Sequence, residues 1–264
     1  MVSAQINYLV LIRHGQSEGN VAQRLVRSGR MDEIPPAFFD VPNREYRLTS
    51  TGVAQCQLTG EYLGRAYPDR FRRIVTADFV RSTETMVHTL TAAGWTDAEV
   101  TTEALYGERI WGTMPREQQA LLAEMEIRKR DPMNWRTPGG ETLTFTRLRA
   151  RVLLDRAKRE FAGESMLVFT HGEFIESILA EVLHLDTESF IEFRESKLGN
   201  IDNCQVIELS SIDPETGRPT GKLRWIRSSN PHKGQLGEWQ RIERKKYQLE
   251  ELRKRVAGYP QFLG

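Results

Sequence analysis

The chain has 264 residues, 39% hydrophobic and 28% charged, with a formal net charge of +1, so it can bury a sizeable core and carries no basic footprint for nucleic acid. No apolar stretch reaches the length of a membrane span, and none follows a basic segment as the core of a secretion signal would. A cytoplasmic protein with no nucleic-acid or membrane partner is the expectation; Cys56 and Cys204, far apart in sequence, form no CxxC or Cys/His cluster and read as apolar filler.

The first element is a branched apolar run at 8–12, a buried strand by its length, that stops on Arg13 and His14 rather than on a turn residue. Gly15, Ser17, Gly19 and Asn20 follow as a loop opening toward a helix. The segment 25–46, LVRSGRMDEIPPAFFDVPNREY, is too long and too proline-marked for an ordinary connection and reads as an inserted lid or binding loop. Helical periodicity over 50–66, with Thr49 or Ser50 as the cap, leads to a strand at 73–76 and a helix over 80–93 with Arg81 in its first turn. Helices over 116–130 and 142–161 precede a strand at 165–170, which ends at His171, and a helix over 174–183. Strands at 205–209 and 223–226 flank a Pro- and Gly-marked hairpin turn at 213–221. The tail 235–257 reads as a charged helical extension that places Trp239, Ile242, Leu249, Leu252 and Val256 on one face. Strands alternating with helices predict an α/β fold, a three-layer α/β/α sandwich on a mostly parallel central sheet, in a single domain over 1–264.

Two of the five histidines repeat one placement: His14 in LIRHG and His171 in VFTHG each stand just past an apolar strand and before a glycine. Neighbouring strands would aim both imidazoles into the crevice beyond their carboxyl ends, with the glycines letting backbone approach a ligand closely. Arg81 sits at a helix N-terminus, where anions are favoured, and can meet Arg13 in the same crevice. Two arginines, two histidines and Asn20 describe a pocket for a phosphoryl group. Arg72, Arg73, Arg147, Arg149 and Arg151 read as solvated charges.

RHG with Asn20 downstream, VRSTET at Arg81, LYGERIWG at Glu108, GGET at Glu141 and THGE at His171 resemble, in that order, the motifs of the histidine phosphatase superfamily in its phosphoglycerate-mutase-like branch. The resemblance covers residues 7–209 and implies a phosphoglycerate-mutase-like fold. It further implies that His14 is the nucleophile, taking the phosphoryl group as a phosphohistidine. Arg13, Asn20, Arg81 and His171 would hold the phosphate oxygens, Glu108 would donate the proton, and no metal or other cofactor would be needed. These roles agree with the chemistry: neighbouring arginines keep an imidazole neutral and nucleophilic, and a fixed cationic cradle suits the charge spread over a transferring phosphoryl group.

The family holds both hydrolases and mutases. Here the stretch from Glu108 to Glu141 is short, Gly172 is followed by Glu173 where the mutases resembled carry asparagine, and NIDNCQVIEL at 200–209 is similar to the phosphatase members. The expected activity is therefore a metal-independent phosphomonoester hydrolase on a small phosphorylated substrate. Transfer of the phosphoglycerate-mutase type is the second reading, and a non-catalytic phospho-ligand binding protein is the third. Glu173 is a rival donor by resemblance to the acid-phosphatase branch, with Glu108 preferred on its ERIWG context. Selectivity for the leaving group is expected from 25–46 and from 111–135.

Overall fold

The computed structural model describes residues 5–68, 71–113 and 117–263. In chain order the elements are β1 (Tyr8–Arg13), α1 (Glu18–Arg27), α2 (Ser50–Ala66), β2 (Arg73–Thr76), α3 (Val80–Ala92), β3 (Thr101–Thr102), α4 (Gln118–Arg130), α5 (Leu143–Glu160), β4 (Ser165–Thr170), α6 (Gly172–Leu183), α7 (Thr187–Glu195), β5 (Val206–Ser210), β6 (Trp225–Ser229), β7 (Gln240–Arg241) and α8 (Leu249–Ala257). The strands form one sheet in the order β3-β2-β4-β1-β5-β6-β7.

Alternation along β1 divides the core into two. Leu9 and Leu11 pack with Met166 and Val168 against α5 and α6, whereas Val10 and Ile12 pack with Leu167 and Phe169 against α2 and α3. Strand residues successive in sequence point to opposite faces, and both faces are covered. The result is the expected three-layer sandwich.

The expectation of a mostly parallel sheet holds for one half only. β3, β2, β4 and β1 run parallel, while β5, β6 and β7 are antiparallel to their neighbours. The reason lies in the chain's return. α7 and the residues after it deliver Cys204 to the carboxyl end of β1, where its N–H donates to the Arg13 carbonyl at 3.0 Å. β5 therefore starts at that end and must run back along β1, and the 213–221 turn then sends β6 back again.

Thr49 caps α2 by accepting from the Gly52 N–H at 3.1 Å, and Thr142 caps α5 from Phe145 at 3.1 Å, as their hydroxyls suit. α1 begins earlier than the glycines suggested: Ser17 and Asn20 form a reciprocal capping box that tolerates Gly19 inside the first turn. The 25–46 segment is not featureless, because α1 ends within it and three short 3₁₀ turns follow at Met31–Glu33, Pro36–Asp40 and Asn43–Glu45. α4 starts at Gln118, and Arg116, the first residue of that expected helix, lies outside the described residues.

The tail is helical only from Leu249. Residues 235–248 form no helix and add the two-residue β7 to the sheet edge, so Trp239 packs on Tyr8 and under the Arg227 guanidinium, while Leu249 and Val256 stay exposed on α8. The expected common apolar face does not form. Among the described residues no helix is long and apolar enough to cross a membrane.

Candidate active site

Parallel pairing of β1 with β4 places Arg13 beside Thr170, and the residue after each strand is a histidine. The His14 N–H donates to the Thr170 carbonyl at 2.9 Å, and the His14 and His171 ring centres stand 5.1 Å apart, edge to face. The duplicated strand-His-Gly pattern is thus one crevice, as its placement predicted. The two glycines are also required by the protein's own packing. A Cβ on Gly15 would lie 2.7 Å from the Gly52 carbonyl oxygen, and one on Gly172 3.3 Å from Arg13 Nε. They admit close packing of the protein on itself.

His14 is oriented at both ring nitrogens. Nδ1 lies 2.8 Å from the Gly15 carbonyl, which can only accept, so the proton of a neutral ring sits on Nδ1. Nε2 then carries the lone pair, and Arg81 Nε donates to it at 3.2 Å. Burial, followed by the charges of Arg81 and Arg13, holds the His14 pKa well below 6.5. Burial and then Arg81 do the same for His171. Both imidazoles are neutral bases at pH 7.

Arg81 is buried and lies over the Phe79 ring at 4.7 Å, and Phe79 also stacks edge-on against His171 at 4.6 Å. Its Nη1 donates to the Asn43 carbonyl at 2.6 Å, which brings the third 3₁₀ turn of the 25–46 segment to the mouth of the crevice. Arg13 donates to the Ile201 carbonyl at 2.5 Å, while its buried Nε has no partner among the described residues. Both ring nitrogens of His171 are likewise buried and unpartnered. Polar atoms in that state are costly unless a ligand satisfies them.

Glu108 reaches the same space, with Oε2 4.0 Å from His171 Nδ1 and, among the described residues, a single backbone donor, the Arg109 N–H at 3.1 Å, on Oε1. Burial first and the nearby Glu173 charge second push its pKa up to about 7, against the opposing pull of Arg81. At neutral pH this carboxyl is poised to give or take a proton. Glu173 stands otherwise. It is buried, ion-paired with Arg128 and with Arg194 at 2.9 Å, and 3.9 Å from Arg109.

Asn20 is drawn in through its capping box: its Oδ1 accepts from the Ser17 N–H at 3.1 Å and from Asn203 Nδ2 at 3.1 Å. Asn203 also donates to the His14 carbonyl at 2.9 Å. It was not singled out in the sequence, although it lies in NIDNCQVIEL, the 200–209 segment similar to the phosphatase members.

Two arginines assigned to the solvent are structural. Arg149 is 11% exposed; it donates to the carbonyls of Leu105 at 2.6 Å and Gly107 at 3.2 Å and pairs with Glu141 at 2.9 Å, which fixes the Glu108 segment. Arg147 donates to Glu181 at 3.0 Å and to the Leu185 carbonyl at 2.8 Å. Both project from α5 onto loop backbone, whose carbonyls they satisfy. In 111–135, Trp111 and Trp135 sandwich the Arg109 and Arg128 guanidiniums at 4.6–5.9 Å.

Comparison with known proteins matches residues 9–218 to the profile of the Histidine phosphatase superfamily (branch 1). A 2,3-bisphosphoglycerate-dependent phosphoglycerate mutase 2 from Gloeobacter violaceus is 32% identical over 187 residues, covering 68% of this chain and 77% of that protein. Among solved structures, a mycobacterial glucosyl-3-phosphoglycerate phosphatase complexed with VO3 superposes with a TM-score of 0.57 at 21% identity, over 77% of this chain and 92% of that one. A putative alpha-ribazole-5'-P phosphatase from Escherichia coli K-12 gives 0.59 at 15% identity, over 90% of this chain and 97% of that one.

Proposed function

The chain belongs to the histidine phosphatase superfamily, and from that premise we propose that it is a metal-independent phosphomonoester hydrolase of the cytoplasm, working as one domain through a phosphohistidine on His14. The observation that carries the reading is the pairing of a neutral His14, its Nε2 lone pair directed at Arg81, with a buried Glu108 carboxyl that titrates near neutrality. Arg13, Asn20, Arg81 and His171 hold the phosphoryl oxygens. Nε2 attacks phosphorus as the bond to the leaving oxygen breaks, and Glu108 delivers its proton to that oxygen. Water then attacks the phosphohistidine, the Glu108 carboxylate takes the water's proton, and phosphate departs. The fixed cations stabilise the charge that develops on the equatorial oxygens.

The substrate is a small phosphorylated metabolite. Asn43 and the 25–46 turns, which touch Arg81, and the Trp–Arg wall of 111–135 are where its leaving group is read. The mutase names of the curated relatives favour a second reading, in which a phosphorylated acceptor rather than water takes the group from His14. One experiment separates these readings from a pocket that only binds. Phosphorylated metabolites are screened in the presence of a chelator, in water labelled with heavy oxygen. Label in the released phosphate supports the hydrolase, label-free transfer to an added acceptor supports the mutase, and turnover that needs a divalent ion overturns both.

A further inference from the structure

The two cysteines, 148 positions apart in sequence, meet beneath the nucleophile. Their sulfurs lie 3.5 Å apart, both are free thiols, and both residues are fully buried. Cys56 projects from α2 against Gly15, where an added Cβ would come within 3.0 Å of its sulfur. Cys204 holds a left-handed backbone at φ 54°, rare for a residue with a side chain, and its N–H is shared between the carbonyls of Arg13 at 3.0 Å and His14 at 3.4 Å. Each sulfur is therefore tied, within a residue or two, to the backbone that carries His14.

We propose that Cys56 and Cys204 form an oxidisable dithiol, a modification site for an oxidant of the hydrogen peroxide class, and that its closure to a disulfide displaces His14 and disables the site. The chemical half stands on the sulfur geometry alone; the loss of turnover rests on the reading of His14 as nucleophile. In the first step the Cys56 thiolate attacks one peroxide oxygen, the O–O bond breaks, and the departing hydroxide leaves as water with a proton, giving a sulfenic acid. The Cys204 sulfur then attacks the Cys56 sulfur, the S–O bond breaks, and a second water leaves. Two thiols lose two electrons, and one peroxide becomes two waters. Cys56 goes first because the Cys204 thiol can donate a hydrogen bond to it, which lowers its pKa, whereas burial raises that of Cys204.

A disulfide needs sulfurs about 2.05 Å apart, so closure shortens the present contact by about 1.5 Å. α2 is packed on α3, and the strained Cys204 turn is the element able to give. Its movement pulls on the Arg13 and His14 carbonyls. Displacement of a reacting group by about 1 Å can cost about a hundredfold in rate. Gly15, the residue after His14, packs directly on the Cys56 sulfur, so a water-sized peroxide reaches that sulfur on a local opening of this backbone that oxidised glutathione is too large to use.

The test treats the full chain with hydrogen peroxide, alkylates remaining thiols, and analyses the unreduced digest by mass spectrometry alongside phosphate release. The expected result is a linked Cys56–Cys204 peptide pair, lighter by two hydrogens, that grows in step with a 10- to 100-fold loss of activity reversed by dithiothreitol. Cys56→Ser, with Cys56→Ala as a second variant, is expected to hold its starting activity through the same treatment. Failure to form the link at peroxide levels that oxidise the urea-unfolded chain overturns the dithiol. A complete link without loss of activity overturns its coupling to His14, and equal loss in both variants places the damage elsewhere. Should the chain hydrolyse nothing, the linked peptide still decides the dithiol, and loss or retention of vanadate binding on oxidation decides the coupling.

Discussion

Glu108→Gln is expected to make the protein more stable at pH 8 while slowing its chemistry. The Glu108 carboxyl is raised from 4.5 to about 7, by burial first and the Glu173 charge second. Between those values the native state keeps a proton that the unfolded chain releases, so the Glu108 contribution falls as pH rises through that window. A gap of about 2.5 pH units at about 1.4 kcal/mol each gives about 3 kcal/mol above pH 7. The side chain is 14% exposed, so screening by water makes this an upper bound. Glutamine has the shape of the protonated acid and never charges. Urea unfolding of both proteins should show little difference near pH 4.5 and a gain approaching 3 kcal/mol for the variant at pH 8, contributions of the buried histidines cancelling in the comparison. A gain of the same size at both pH values refutes burial of a charge as its cause. In the same variant, hydrolysis of alkyl phosphates should fall by about 10²–10⁴, far more than that of p-nitrophenyl phosphate, whose leaving group departs without a proton.

His14→Ala should abolish phosphate release with the fold intact, and acid-free quenching of the wild type should trap phosphate on His14; phosphate on His171 would reverse the two roles. Because burial and then Arg81 depress the His14 pKa, the acid limb of kcat/KM should lie well below pH 6.5, with an alkaline limb near 7 for alkyl substrates from loss of the Glu108 proton. An acid limb at or above 6.5 would mean that His14 is solvated. Glu173→Gln strips the carboxylate from Arg128 and leaves Arg194 paired with Glu176 alone; it should cost about 3–5 kcal/mol in urea unfolding, slow alkyl and aryl substrates alike, and shift the alkaline limb to lower pH. Asn203→Ala removes the bonds to the His14 carbonyl and Asn20 and should lower kcat about tenfold, in keeping with a small misplacement of reacting groups; an unchanged kcat shows that β1 alone fixes His14.

What the sequence revealed of this fold was whatever periodicity and punctuation encode. β1, β2, β4 and the helices α2, α3, α5 and α6 bury long regular faces, and their bounds agree within two residues. Strand direction was not legible for β5, because it depends on where α7 delivers the chain, and α7 itself carries its helical signal in only nine residues. In the tail, Trp239 and Ile242 fitted a helical stripe with Leu249 and Val256 on paper; pairing of β7 with β6 and the Arg227–Trp239 stack decided otherwise. The same limit separates the visible part of the candidate site from the rest. Arg13, His14 and His171 sit at strand ends, where position alone is informative. Asn203, Arg149 and the Cys56–Cys204 contact join segments distant in sequence, and only the assembled fold brings them together.

Charge environment bears on the choice between the two candidate acids more directly than proximity does. Glu108 and Glu173 both flank the second histidine, one by reaching it through space at 4.0 Å and the other by following it in the chain. A proton donor must hold its proton at working pH and have an oxygen free to aim at the leaving group. Glu173 has Oε1 committed to two guanidiniums, with a third 3.9 Å from Oε2, so its carboxyl is tied to fixed cations rather than aimed at the second histidine. Glu108 has, among the described residues, one backbone donor and a neutral imidazole as its neighbour, and burial outweighs the pull of Arg81 and Arg13 to favour its protonated form. The arginine cluster thereby supports a division of labour. Glu173 fixes α4 and α7 against α6 through Arg128 and Arg194, and its charge, held nearby, helps keep the proton on Glu108. If Glu173→Gln, rather than Glu108→Gln, produced the dependence on leaving group, that division would be inverted and the donor would sit beside His171 in the chain.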